Sequence, residues 1–270
     1  MSRICFLLEV SRSNIYEKLT PSSLGSREEK NEKDQKVLDL IRAITEKRTT
    51  YGYRRTWSLL RPQEKINHKR VYRIMKENNL LLPKFGKRPL RVHEGTVMTL
   101  KSNTRWCSDA FGIQCWNGEQ LQVAFSLDTC DREVMSWVSS SRGIDGELIR
   151  DLMTDSVVKR FGPLNPIPNR IQWLSDNGPC YVARETVQFG KMLGFEMCTT
   201  APYSPESNGM AEAFVKTFKR DYVYVSDLSS AQRVREQLAG WFKDYNENAP
   251  HKGLRMLSPK EYRRRNQQVS

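Results

Sequence analysis

Three acidic residues lie at positions in expected strands or at a helix start where an acid calls for a structural or chemical reason. Asp109 lies inside a strand-like run beside Trp106 and Phe111, where acids are depleted and burial without a partner costs free energy. Asp176 follows the apolar run "IQWL", at the carboxyl end of an expected buried strand, the edge where sites form in open α/β sheets. Glu212 lies near the start of an expected helix. Carboxylates are suited to holding a cation or moving a proton.

Acids that converge repel one another unless a cation neutralises them. Hard oxygen ligands without a histidine cluster favour Mg²⁺ or Mn²⁺. Two such ions about 3.5–4 Å apart activate an attacking oxygen and stabilise a leaving oxygen in phosphodiester chemistry. We therefore expect Asp109, Asp176 and Glu212 to be catalytic and to bind two Mg²⁺ ions, for which Mn²⁺ can substitute.

Each acid also has a structural explanation. Asp109 could pair with an arginine in the sheet, the run from Asp176 to Gly178 could be only a turn, and Glu212 could stabilise a helix start. For any single acid the structural explanation is the stronger one. Three acids at suitable places in one strand order favour the shared site.

Two lysines accompany Glu212 on its helix. At about 100° per residue, Lys216 and Lys219 stay within about 40° of Glu212, while Ala211 and Phe218 lie on the adjacent apolar face. A positive stripe beside a metal-binding acid suits a DNA backbone that must approach the metal. The alternative is an ordinary i,i+4 pair between Glu212 and Lys216, which stabilises a helix by only about 0.2–0.5 kcal/mol.

The elements that position these residues follow from the periodicity. "TRWCSDAFGIQCW" and "EQLQVAFSLDTC" are two strands joined by Asn117-Gly118, a two-residue hairpin signal, and "REVMSWVSS" is a third strand. "RIQWLSDNG" and "FEMCTT" are two further strands. The expected helices cover 145–160, 183–193, about 209–225, 230–244 and 258–266. In this β-β-β-α-β-α-β-α order the strands of Asp109 and Asp176 can be neighbours, with the Glu212 helix across their ends.

The first third of the chain is helical in its periodicity. We expect two short helices in 3–19, a polar linker over 22–34 and a helix from "KVLDLIRAI". "YGYRRTWSLL" and "HKRVYRIMKENNLL", the latter capped by Asn67, then form a helix-turn-helix. Its expected DNA-binding residues are Lys69, Arg73 and Lys76 on one stripe, together with Arg54 and Arg55. A charged stripe is more often a solvated face, but this one is purely positive.

The charge distribution supports a nucleic-acid partner. Residues 1–95 hold 22 Lys and Arg against 11 Asp and Glu, a net charge of +11, while residues 96–270 hold 22 against 20, a net charge of +2. A basic module beside a near-neutral one is typical of a polyanion binder attached to a second function. Six cysteines without C-x-x-C spacing and three histidines disfavour a zinc module. No apolar run approaches a membrane span, so we expect a cytoplasmic protein without a membrane partner.

The ordered motifs "TYGYRR", "KRVYRIMKENNLL", "RWCSDAF", "LDTCDRE", "LSDNGPCY", "SPESNGMAEAFVKTFKRDY" and "YNENAPHKGL…LSPKEY" span nearly the whole chain. Together they resemble the catalytic subunit (OrfB) of bacterial insertion-sequence transposases of the third numbered family, the retroviral-integrase-like D-D-E group. There are 66 residues between Asp109 and Asp176 and 35 between Asp176 and Glu212. The second interval resembles the family's D-35-E spacing.

The resemblance implies an α/β fold with an RNase H-like, integrase-type catalytic core preceded by an all-α helix-turn-helix region. The implied division is a helical DNA-binding region over 1–82, a basic linker over 83–103, the core over 104–225 and C-terminal helices packing on it over 226–270. The resemblance further implies that the protein cleaves one 3′ end of the element. The freed 3′-hydroxyl then attacks DNA by in-line transesterification, giving circular intermediates and later insertion.

The resemblance also implies partners. These are double-stranded DNA, as element ends and as target, a second copy of the chain on that DNA, and an upstream-frame helix-turn-helix protein that can be joined by a frameshift fusion. Two other interpretations compete with the transposase. One is a non-catalytic DNA-binding regulator that acts through residues 1–95, and the other is a plain nuclease that hydrolyses DNA without joining strands.

Overall fold

The computed structural model describes four stretches of the chain, residues 22–83, 99–163, 165–200 and 209–267. The chain divides into two compact units, Met1–Lys84 and Phe85–Ser270. The helices expected in 3–19, most of the basic linker 83–103 and the loop 201–208 lie outside the described residues. No helix in the described stretches is long and apolar enough to cross a bilayer.

The N-terminal unit contains three described helices, α1 (Ser22–Lys47), α2 (Tyr53–Leu60) and α3 (His68–Glu77). Asn67 caps α3 as expected, because its side-chain oxygen accepts the Lys69 backbone N–H at 3.0 Å. The helices enclose one apolar cluster, formed by Val37, Leu38, Ile41, Leu60, Ile66, Val71, Ile74 and Met75. The α2–α3 pair is the predicted helix-turn-helix.

The expected linker over 22–34 is wrong, because these residues are the first part of α1. Their glutamates, lysines and arginine are good helix formers, and a polar composition does not by itself end a helix. The last residue of this stretch makes a tertiary contact, since Asp34 accepts hydrogen bonds from Arg70 and Arg73 at 2.7 and 2.6 Å. These ion pairs fasten α1 to α3.

The C-terminal unit is built on a five-stranded sheet. Its strands are β1 (Arg105–Gln114), β2 (Gln120–Asp128), β3 (Val134–Ser140), β4 (Ile171–Ser175) and β5 (Phe195–Thr199). The spatial order is β3-β2-β1-β4-β5; the β1–β2 and β2–β3 pairs are antiparallel, and the β1–β4 and β4–β5 pairs are parallel. The predicted hairpin at Asn117-Gly118 joins β1 to β2, and Gly118 has the positive φ of 89° that favours glycine.

Helices cover both faces of this sheet. They are α4 (Gly146–Phe161), α5 (Pro179–Val182), α6 (Arg184–Met192), α7 (Gly209–Asp221), α8 (Ala231–Asn248) and α9 (Pro259–Gln267), with 3₁₀ turns at Val223–Val225 and Lys252–Leu254. The helix expected over 209–225 therefore ends at Asp221, and the short α5 was not expected. The α/β order otherwise agrees with the prediction.

The two faces of the sheet have separate cores. Trp106 and Trp173 pack with Ile149, Leu152 and Met153 of α4 on one face. The other face packs against α7 and α8 through Phe111, Phe125, Phe214, Phe218, Leu238, Trp241 and Phe242. Aromatic contacts join the sheet to α7, and the ring centroids of Phe125 and Phe214 are only 4.3 Å apart. The helix that carries Glu212 is thus held firmly on the sheet.

Candidate functional site

The parallel pairing of β1 and β4 brings Asp109 and Asp176 to the same level of the sheet. The ladder ends at the pair Cys107 and Leu174, and each acid lies two residues beyond its strand's member of that pair. Asp109 shares its face with Cys107 and Phe111, because side chains alternate along a strand. That face is the one covered by α7 and α8.

Glu212 reaches the same region from α7. It lies in the first turn of α7 and is exposed, yet its carboxylate is close enough to act on the charge of Asp109. Phe214 and Phe218 of the same helix are buried against the sheet. Phe218 contacts Phe111 with ring centroids 5.9 Å apart, and Phe111 is two residues from Asp109 on β1. The helix therefore crosses the sheet beside Asp109.

The three acids share one electrostatic environment. Burial raises the pKa of Asp109 to about 6, and the carboxylates of Asp176 and Glu212 add to the rise. The Ala110 N–H, which donates to the Asp109 carboxylate at 2.8 Å, opposes it. Converging carboxylates of this kind favour the binding of a cation. All its candidate donors are hard oxygens, which suits Mg²⁺ or Mn²⁺ better than Zn²⁺.

The carboxylates do not form a closed ligand set. Nowhere in the described stretches is a group of three His, Cys, Asp or Glu residues placed so that it could hold a metal ion. Glu212 stands only a few residues after 201–208, which lie outside the described residues. The assignment of these acids as metal ligands stays a prediction.

We expect Asp109→Asn to stabilise the protein at pH 8 in the presence of a chelator. The folded-state pKa of Asp109, about 6, lies above its ordinary value of 3.8, so ionisation is unfavourable in the folded state. The wild type should therefore lose stability as the pH rises from 4 through 6, and the variant should not. The melting temperature of the variant should be roughly 2–4 °C higher at pH 8.

The control for this measurement is pH itself. At pH 4 and below, the wild-type carboxyl is protonated in the folded state, so the two melting temperatures should converge. Saturating Mn²⁺ at pH 8 should make the wild type the more stable protein, because its Asp109 carboxylate can bind the ion and the asparagine amide cannot replace that charge. A variant that melts below the wild type at pH 8 without metal would show that Asp109 makes a stabilising ion pair instead.

The predicted DNA-binding residues of α3 differ in their surroundings. Lys69 and Lys76 are exposed. Arg73 instead pairs with Asp34 at 2.6 Å and with Glu77 at 3.1 Å. These ion pairs give Arg73 a structural role that the sequence did not indicate. Phosphate contact by the three residues stays a prediction.

The two arginines of α2 both contact tyrosine rings. Arg54 is exposed and donates to the Tyr53 hydroxyl at 3.0 Å. The Arg55 guanidinium lies 3.5 Å from the centroid of the Tyr51 ring, a cation–π geometry. Of the two, Arg54 is the more accessible to DNA, and a DNA contact by either stays a prediction.

Sequence reasoning missed two residues next to the acids. Ser108 and Tyr181 are buried and hydrogen-bonded to each other, with their hydroxyl oxygens 2.9 Å apart. The only signal was their neighbourhood, since Ser108 precedes Asp109 and Tyr181 follows the "DNG" turn. Hydroxyl pairs leave no periodic pattern, so the partner could not be read from the chain.

A cavity of about 450 Å³ lies elsewhere in the unit, against β3 and between α4, α8 and α9. Its lining includes Trp137, Lys159, Phe242 and Arg263, and none of the three acids. Asp109 is half-buried, while Asp176 and Glu212 are exposed.

Comparison with known families matches both units. The family described as "Integrase core domain" matches residues 100–205, a second family of the same description matches 193–259, and "HTH-like domain" matches 32–88. The transposase InsD for insertion element IS2A/D/F/H/I/K of Escherichia coli is 44% identical over 275 residues, covering 98% of this chain and 91% of the relative. Transposase InsD for insertion element IS2-9 of Escherichia coli strain K12 has the same identity and coverage of this chain, and 89% of the relative is covered.

The solved structures that align with this chain are more distant in sequence. A simian T-cell lymphotropic virus intasome aligns over 76% of this chain and 73% of its own, with a TM-score of 0.48 and 14% identity. The catalytic core domain of BIV integrase aligns over 62% of this chain and 97% of its own, with a TM-score of 0.42 and 20% identity. The Mos1 mariner transposase catalytic domain aligns over 52% of this chain and 70% of its own, with a TM-score of 0.44 and 16% identity.

Proposed function

We propose a catalytic role for Asp109, Asp176 and Glu212 on the premise that the chain belongs to the family of bacterial insertion-sequence transposases, the family of its InsD relatives. The chain is accordingly a DNA transposase with an integrase core, a polynucleotidyl transferase of the kind that uses divalent metal ions. The observation that supports the residue assignment is the parallel pairing of β1 with β4, which brings Asp109 and Asp176 to the same level of the sheet. Burial raises the pKa of Asp109, and the Asp176 and Glu212 carboxylates add to the rise. Residues so far apart in sequence influence one another only when the fold brings them together.

The proposed reaction has two steps that act on phosphodiester bonds. Water first cleaves the bond at one 3′ end of the element, and the freed 3′-hydroxyl then attacks a phosphodiester of a second DNA site. In the second step one P–O bond forms while another breaks, and the attacking hydroxyl's proton is transferred to the leaving 3′-oxygen through solvent. No external energy source is needed, because one phosphodiester replaces another.

The three acids are the proposed metal ligands. Asp109 and Asp176 would hold Mg²⁺ from adjacent strands of the rigid sheet, and Glu212 would complete the ligand set from α7. When bound, Mg²⁺ lowers the pKa of the attacking oxygen and stabilises the leaving one.

The lysines of α7 would hold the DNA backbone beside the acids. Lys216 is exposed, and the Lys219 ammonium lies 5.6 Å from the centre of the Phe111 ring, on the strand that carries Asp109. A cation so placed is held near the acids and remains able to contact a phosphate.

We expect Lys216→Ala and Lys219→Ala each to weaken DNA binding and to flatten its salt dependence. Each lost phosphate contact should reduce the slope of log K against log salt by about one unit. Fluorescence anisotropy with a labelled element end between low and moderate salt gives this slope. Lys191→Ala, an exposed lysine in the last turn of α6, is the matched control. Slopes equal to that of the control would exclude both α7 lysines from the interface.

The partners we propose follow from the family. They are double-stranded DNA as element end and as target, a second copy of the chain on the paired ends, and an upstream-frame helix-turn-helix protein, supplied separately or by frameshift fusion. The DNA substrate implies action at the bacterial nucleoid, in the cytoplasm. In the N-terminal unit the residues that we expect to contact DNA phosphates are Lys69, Arg73, Lys76, Arg54 and Arg55, of which Lys69, Lys76 and Arg54 are exposed.

A strand-transfer assay tests the proposed function. Purified protein is incubated with Mn²⁺ and a labelled element end, with and without the upstream-frame partner, and the products are separated on a denaturing gel. Joined strands longer than the substrate support the transposase reaction. Shortened strands alone would identify a plain nuclease. No product under any condition, with tight DNA binding retained, would identify a non-catalytic regulator.

A further inference from the structure

A buried hydrogen bond links the two chain segments that carry the first two acids. The hydroxyl oxygens of Ser108 and Tyr181 are 2.9 Å apart, although the residues are 73 positions apart in sequence. Ser108 is 0% exposed and Tyr181 is 3% exposed. Ser108 directly precedes Asp109, and Tyr181 lies in α5, shortly after Asp176. The bond therefore joins β1 to the segment that follows β4.

This bond lies on the opposite face of the sheet from Asp109. Successive side chains of a strand alternate between faces, and Tyr181 packs with Trp106 and Ile149 in the cluster under α4. The Tyr181 hydroxyl is therefore shielded from any DNA at the acids. Its influence on the reaction has to pass through the backbone of β1 and through the turn that holds Asp176.

The turn between Asp176 and Tyr181 is compact enough to transmit that influence. The Gly178 N–H donates to the Asp176 carboxylate at 3.0 Å. A Cβ at Gly178 would lie 2.9 Å from the same carboxylate oxygen and 3.5 Å from the Tyr181 ring. The ring and the carboxylate thus lie on either side of the space that a side chain at residue 178 would fill, so the turn keeps them close together.

The hydroxyl of Tyr181 is a permanent partner for Ser108. Burial raises the pKa of Tyr181 above its usual range, and the Asp109 and Asp176 carboxylates add to the rise. The hydroxyl stays protonated in the range where DNA chemistry occurs. Both carboxylates are also near enough to it for their charges to act, which agrees with its position beneath them.

We propose that Tyr181 is a positioning residue, whose hydrogen bond to Ser108 sets the separation of the Asp109 and Asp176 carboxylates so that both can bind one divalent ion. This inference rests on the proposed role of the two acids as metal ligands. Tyr181 acts through the turn and contacts neither metal nor DNA.

The test measures Mn²⁺ binding to the full chain by isothermal titration calorimetry. Tyr181→Phe removes one hydroxyl and keeps the ring, and Ser108→Ala removes the other. Each should weaken Mn²⁺ binding by about tenfold, as loss of a group that orients metal ligands does. The double variant should be no weaker than either single variant, because all three lose the same bond.

Ser126→Ala is the matched control. Its hydroxyl forms a buried bond of 2.6 Å to Ser156, and Ser126 is the β2 residue paired with Ser108. This control should bind Mn²⁺ as the wild type does. Wild-type affinity in both Tyr181→Phe and Ser108→Ala would overturn the inference, and so would equal weakening in the control. Failure of the proposed function looks different, since Asp109→Asn would then bind Mn²⁺ as tightly as the wild type.

Discussion

Replacing Asp109, Asp176 or Glu212 by its amide should lower the rate of strand joining by at least about a thousandfold while the protein remains folded. Each amide has nearly the shape of its acid but lacks the negative charge that binds a divalent ion. The loss should be large because metal-assisted stabilisation of the reacting phosphate is the main source of rate in this chemistry. Single-turnover joining of a labelled element end in saturating Mn²⁺ measures it.

Two controls make the result specific. DNA affinity at low salt should be unchanged or slightly increased, because a negative charge has been removed near the backbone. Asp155→Asn, an exposed acid on α4, should join strands at the wild-type rate. If any of the three amide variants retains more than about a tenth of the wild-type rate, that residue is not a metal ligand.

Arg160→Met should destabilise the C-terminal unit by about 3–5 kcal/mol, the cost of removing one partner from a buried ion cluster. The Arg160 side chain is 3% exposed and bridges Asp128, Asp131 and Glu133 at 3.3, 2.6 and 2.5 Å. Its Nε also donates to the Asn103 side chain at 2.7 Å. Without the guanidinium, three carboxylates remain together with little compensation. Urea denaturation followed by tryptophan fluorescence measures the change.

Arg233→Met is the matched control for this change. Arg233 pairs with Asp227 and Glu236, but its side chain is 55% exposed, and exposed pairs contribute at most about 1 kcal/mol. The Arg160→Met deficit should also shrink between pH 7 and pH 5. Burial already raises the pKa of Asp128. Its carboxyl therefore takes up a proton at a higher pH than an ordinary aspartate and loses the negative charge that Arg160 no longer balances. A deficit as small as that of Arg233→Met would mean that Arg263, which also contacts Glu133 at 3.0 Å, is sufficient.

The sequence predicted those parts of the fold that leave a periodic or local signal. The five strands, the hairpin at Asn117-Gly118 and the Asn67 cap all depend on patterns within a few residues. The neighbouring positions of Asp109 and Asp176 followed from strand order, because a β-β-β-α-β path leaves few ways to pair β1 and β4. The polar start of α1 was misjudged, since its tertiary partners, Arg70 and Arg73, lie more than 30 residues away.

The parts that could not be predicted depend on side chains meeting across the fold. Nothing near Arg73 in sequence indicates that Asp34 binds it, so its stripe with Lys69 and Lys76 read as uniformly positive. Ser108 and Tyr181 are likewise joined only by the packing of α5 under the sheet. The placement of Glu212 beside the other acids likewise depends on the packing of α7 on the sheet, which no local residue pattern encodes.

The most direct test of the shared metal site is Fe²⁺-directed cleavage of the protein backbone. Fe²⁺ replaces Mg²⁺ at oxygen-rich sites, and with ascorbate and peroxide it generates radicals that cut the chain close to the bound ion. If the three acids share a metal site, the wild type should be cut in three places, near residues 109, 176 and 212. Excess Mg²⁺ should suppress all three groups of cuts, and Asp109→Asn should show none of them. Cuts near only one of these positions, or cuts that persist in Asp109→Asn, would contradict it.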